Sequence, residues 1–165
     1  MTLTRTELID SLRDEVRILV HLCGKVQTPM LEYRPTPKQR SLLELLRYLT
    51  VMGPGLVPTI QAGEFLIDRW NALEAESLAM DFDAVVASLE SQAAFYAEAI
   101  GAMSDEELRG EIDFFGQTFT RGRCLVNSVL SGHAAYRMQL FCYLKSCGRE
   151  ELNTFNLWTG ADGTM

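Results

Sequence analysis

The sequence predicts an all-α protein built as a four-helix bundle. Three observations carry this. Apolar residues recur at steps of three and four through four long segments, the period of one helix face. Good capping residues stand just before those segments. The chain has 165 residues, 47% hydrophobic and 22% charged, which suits one globular domain spanning 1–165 with a core of its own.

The first segment runs from about Thr4 to Val26. Thr4 followed by Glu7 forms a capping-box pattern, and Leu8, Leu12, Val16, Leu19, Cys23 and Val26 make one stripe. Asp10, Asp14, Arg17 and His21 form a polar row, which predicts a solvated His21. After Tyr33-Arg34-Pro35, Thr36 reads as an N-cap and Pro37 as the first helical residue. Leu42, Leu45, Leu46, Leu49 and Met52 supply the apolar face, with Tyr48 at its border, and Gly53-Pro54-Gly55 is expected to end the helix. Between 56 and 80, Phe65, Leu66, Ile67 and Trp70 fit either a short helix or a packed loop.

Asp81 caps a third long segment, carried by Phe82, Val85, Val86, Leu89, Ala93, Tyr96, Ile100 and Met103. Ser104-Asp105-Glu106-Glu107 opens one or two further turns. Residues 111–120 break the helical period, and two aromatic, β-branched fragments flank Gly116-Gln117, which predicts a small hairpin or irregular excursion. Thr120 caps the last long helix, which runs to about Cys147 and stops at Gly148. Phe155, Leu157 and Trp158 give the tail enough apolar area to pack back on the bundle.

Charge and cysteine usage narrow the function. A net charge of -7 argues against nucleic acid as the main partner, because that affinity rests on clustered Lys and Arg. Cysteines at 23, 124, 142 and 147 form no zinc-type spacing; Cys142 and Cys147 diverge on their helix and read as small apolar residues rather than a redox pair. Free thiols, no export signal and no apolar run long enough for a membrane predict a cytoplasmic protein. There is no phosphate-binding glycine loop, nucleophile elbow, HExxH or Glu-x-x-His pair, and two histidines cannot make a three-histidine metal site.

One cluster stands out. Val126, Leu130, His133, Arg137, Leu140 and Leu144 form the predicted inner stripe of the last helix, with Tyr136 and Gln139 beside it. A buried polar group without a partner costs roughly 2–7 kcal/mol, so Arg137 needs a carboxylate, backbone carbonyls or a wet cavity. Such a cluster serves either as a satisfied polar network that fixes helix register or as a functional pocket.

The stretch Leu130-Ser-Gly-His133-Ala-Ala-Tyr136-Arg137-Met-Gln139-Leu140, together with Pro37-Lys-Gln-Arg-Ser41-Leu-Leu-Glu-Leu-Leu46-Arg47-Tyr48-Leu49 and the closing Asn156-Leu157-Trp158-Thr159-Gly160, resembles the DinB/YfiT-like superfamily of metalloenzyme-type bundles. The resemblance covers most of the chain from residue 35 on and implies an up-down-down-up four-helix bundle, often a homodimer. It also implies three histidines on a divalent Ni or Zn ion, one from the second helix and two from the last. Here the second-helix position falls on Tyr48 and the one before Arg137 on Tyr136. The upstream position falls on Gly132, with His133 one step off. A phenol with a pKa near 10 is a poor ligand and one imidazole cannot hold the ion, so the expectation is a member without the metal and with no cofactor.

What remains is a polar pocket of Tyr48, His133, Tyr136 and Arg137 for a small ligand, anionic if Arg137 is free to fork onto it. The alternatives are a metal- or thiol-dependent transferase or isomerase using His133 as the catalytic acid or base, and a structural or dimerisation module without ligand.

Overall fold

In the computed structural model, which describes residues 3–163, α1 spans Arg5–Cys23. Thr4 caps it in the expected box with Glu7. The second long helix, α2 (Leu42–Ala62), departs from expectation at both ends. Its N-cap is Ser41, boxed with Glu44, while Thr36 and Pro37 lie in the turn before it, where the Gln39 N–H donates to the Thr36 carbonyl. The local cap signal was thus good chemistry used for a turn.

At its other end, α2 runs through Gly53-Pro54-Gly55 and stops only at Gly63, whose φ of 79° is left-handed. Proline removes an N–H and crowds the carbonyl four residues back. Neighbouring helices take up the carbonyls in this stretch: Gln92 Nε2 donates to the Leu49 carbonyl at 2.9 Å, and Arg69 Nε donates to that of Pro54 at 3.1 Å.

Residues Ile67–Ala79 form α3, which settles the ambiguous stretch as a helix. It packs back along α2 and returns the chain to the end where α2 began. There the Arg47 guanidinium reaches the Met80 carbonyl, Asp81 caps α4 (Phe82–Gly101) as expected, and α4 therefore runs parallel to α2. Ser104 opens the short α5 (Asp105–Arg109) with its capping box.

A hairpin follows, β1 (Glu111–Phe114) paired antiparallel with β2 (Gln117–Thr120). Its turn is one residue earlier than expected: Phe115 and Gly116 both have positive φ, 52° and 78°. A two-residue turn with both centres left-handed matches the twist of paired strands.

Thr120 caps α6 (Arg121–Cys124), which continues through a wide π turn, Leu125–Leu130, into α7 (Ser131–Ser146). The π turn changes the predicted inner stripe. Leu125 and Val129 are the buried residues within it, in place of Val126 and Leu130, whereas His133, Arg137, Leu140 and Leu144 are buried after it as expected. An i→i+5 turn advances the helix by one extra residue, which shifts the buried face by one position.

Gly148 is left-handed at φ 91°, and the tail forms α8 (Thr154–Thr159), docked on α1 and α7. That docking corrects His21. It is half-buried, with Asn156 Nδ2 3.1 Å from its Nε2. Burial first, then Lys25, hold its pKa below the usual value. Cys23 and Cys124 are buried, but Cys142 is exposed and Cys147 only half-buried, so the first of that pair is not a core residue.

Two clusters make the core. One joins the end of α1, the starts of α2 and α4 and the end of α7. The other joins the start of α1, the ends of α2 and α4 and the α6–π turn region. The four long helices are therefore up, down, down and up, with α3 as the crossover. Among the described residues no helix is long and apolar enough to cross a membrane.

Candidate functional site

The sequence placed Tyr48, His133, Tyr136 and Arg137 in one pocket. The structure divides them among three environments.

His133 faces α4 and is 1% exposed. Its Nε2 lies 2.6 Å from Tyr96 Oη. Tyr96 donates to Gln92 Oε1 at 3.0 Å, and Gln92 Nε2 is used on the Leu49 carbonyl. With the phenol proton given to Gln92, Tyr96 Oη accepts from His133 Nε2–H. The Nδ1 atom is then the bare nitrogen, buried and without a hydrogen-bond partner. Burial lowers the His133 pKa to about 4 and pushes the Tyr96 phenol up. This ring is neutral throughout the physiological range. Gly53 makes the contact possible: a Cβ there would fall 1.7 Å from Tyr96 Oη.

Arg137 faces α1 and α8. Its Nε stands 3.1 Å from Glu15 Oε2, and its Nη1 donates to the Leu157 carbonyl at 2.8 Å. The Nε–Glu15 contact is a close charge pair rather than an aligned hydrogen bond. Burial raises the Glu15 carboxyl above its usual range while Arg137 pulls it down. The Trp158 ring covers the guanidinium at 5.3 Å. Glu15 thus supplies the carboxylate that the sequence required for Arg137 and could not name. The guanidinium is committed to holding the tail.

Tyr48 and Tyr136 do meet. Their rings stand edge to face, 5.1 Å between centroids. The Arg40 guanidinium lies 4.1 Å above the Tyr48 ring, and Trp70 of α3 flanks it at 6.4 Å. Burial, with Tyr136 beside it, raises the Tyr48 pKa to about 12. The Tyr48 ring borders a cleft of about 410 Å³, whose other walls are Leu56, Phe65, Trp70, Phe114 and Phe115. Ser128, on the π turn, completes it. π turns recur at functional sites. The sequence offered the aromatic residues one by one; α3 and the hairpin bring them together, and neither connection is visible in a local period.

The residues at the positions expected to hold a metal do not fit one. The Tyr48 phenol, raised to about 12, stays protonated and offers no anionic oxygen. Gly132 packs against the Met52 sulfur, where a Cβ would come within 2.8 Å. The His133 Nε2 is taken by Tyr96. Among the described residues, no three His, Cys, Asp or Glu side chains converge on a common point.

The bundle is similar to a crystal structure of a DinB-like protein, YjoA from Bacillus subtilis. The TM-score is 0.68 at 19% identity, covering 90% of this chain and 96% of that one. At this identity the likeness establishes a shared DinB-like fold. No family model matches the chain, and no curated protein matches it in sequence.

Proposed function

We propose that this DinB-like bundle is a metal-independent member of the DinB/YfiT-like superfamily that binds a small, flat aromatic molecule in the cleft beside Tyr48. The observation that carries the reading is the cleft itself: six aromatic or aliphatic walls around about 410 Å³, one of them the Tyr48 ring, which meets Tyr136 edge to face behind it. Ligand sites of this kind pair apolar walls with a few polar groups that fix orientation. Aromatic pairs at such spacing add about 0.5–1.5 kcal/mol beyond burial. Arg40, already above the Tyr48 ring, supplies positive charge beside the cleft; Arg137, matched by Glu15, does not.

The transferase alternative needs His133 within reach of a substrate, and nothing supports that in a ring 1% exposed and hydrogen-bonded to Tyr96. The reading extends to a homodimer, which the resemblance implies and which sedimentation velocity tests.

The experiment uses indole, 1-naphthol and 2-naphthoate as probes in a Trp158→Phe background, where Trp70 is the remaining tryptophan. A binder at about 100 times its dissociation constant adds roughly 2.7 kcal/mol of stability. Saturable change of Trp70 fluorescence with a matching thermal shift, lost in Tyr48→Ala, supports the proposal. No response to any probe favours the structural-module reading. One tightly held divalent ion per chain in elemental analysis of purified protein overturns the metal-independent part.

A further inference from the structure

A second cleft, of about 570 Å³, opens where Leu3, the start of α1, α5, α6 and the π turn meet. It shares no lining residue with the Tyr48 cleft. Leu3, Leu8, Leu108 and Val126 supply its apolar surface. Arg5, Arg109 and Arg123 also line it, against one acid, Asp105.

The three guanidinium groups are not consumed by ion pairs. The Arg5 Nη1 donates to the Met103 carbonyl. Arg123 lies 4.4 Å over the Phe119 ring. Arg109 is exposed. Among the described residues, none of the three stands within salt-bridge distance of a carboxylate. In a chain of net charge -7, this is a local reversal of sign built around a hydrocarbon surface.

Both halves of that description name the same kind of guest. The apolar surface gains from covering by an alkyl chain, and a guanidinium forks onto a carboxylate with two parallel hydrogen bonds. The cleft volume lies within the range of about 300–1,000 Å³ typical of small-molecule sites. We infer that this cleft binds a medium-chain alkyl carboxylate, its chain laid along Leu3, Leu8, Leu108 and Val126 and its headgroup among Arg5, Arg109 and Arg123.

Isothermal titration of the full chain with octanoate, decanoate and dodecanoate, each below its self-association concentration, tests this. One-to-one binding is expected, tightening about fourfold per added methylene, the equivalent of roughly 0.8 kcal/mol. Arg109→Glu with Arg123→Glu, two exposed positions, should weaken decanoate at least tenfold and leave decanol unchanged, with circular dichroism confirming the fold. Trp70→Ala, which removes a wall of the other cleft, should leave decanoate binding intact. Equal affinity for decyltrimethylammonium, absence of saturable binding, or loss of decanoate binding in Trp70→Ala each overturns the proposal.

Discussion

Two pairs of polar rings sit in this bundle, and they differ in one respect. Tyr96 and His133 are sealed between α4 and α7, whereas Tyr48 and Tyr136 stand half-buried, with Tyr48 on the wall of a cleft between α2, α3 and the hairpin. The sealed pair relies on protein groups alone, so its phenol and imidazole are chained through Gln92 to a backbone carbonyl. The open pair is bound by no such chain. Enclosure turns polar groups into structure; access leaves them available for recognition.

The sharpest way to break the comparison is at Gly53. A methyl group there collides with Tyr96 in a site with no room to yield. Gly53→Ala should destabilise the fold by about 3 kcal/mol in urea unfolding; a near-neutral result would mean the sealed pair is not tightly packed.

Acid attacks the sealed pair from another side. The His133 pKa falls from 6.5 to about 4 on folding. A depressed folded pKa means that the unfolded chain takes up the proton first. Stability is fully present above about pH 6.5 and is lost as pH falls toward 4, by up to about 3 kcal/mol. Comparing unfolding at pH 7 and pH 4.5 in the native chain and in His133→Gln isolates this contribution; equal pH slopes would remove it.

Tyr96→Phe should cost about 2 kcal/mol, since it orphans Gln92 Oε1 and the His133 N–H. Tyr136→Phe, by contrast, should change stability by less than about 0.5 kcal/mol, while altering the response to the aromatic probes. If the two phenylalanine variants lose the same stability, the contrast between sealed and open pairs fails.

Much of the scaffold was legible because it is local. Thr4, Asp81, Ser104 and Thr120 each cap a helix that begins beside them, and the hairpin showed itself in a broken period. The misreadings share a cause: a neighbour distant in sequence decided the outcome. Pro54 stays inside α2 because the helix is held on one side by Tyr96 against Gly53 and on the other by Trp70 against Gly55. His133 and Arg137, adjacent on one stripe, diverge because α4 presents Gln92 and Tyr96 to one and α1 presents Glu15 to the other. Gln92, a lone polar residue spaced four from Tyr96 on the apolar face of α4, was the one sequence sign that a polar guest would arrive there.

The wide turn at Leu125–Leu130 splits the last helix into two angular frames. Everything after it keeps its phase against α1, α2 and α4; everything before it is rotated by one residue, about 100°. Segment length between Thr120 and His133 is therefore a dial. Deleting one amino acid there would let the helix close into uniform winding. The hairpin and α6 would then swing together relative to Tyr136, carrying Phe114, Phe115 and Arg123 with them. Because Cys124, Leu125 and Val129 also belong to the core, a single codon would act on both clefts and on the packing beneath them together.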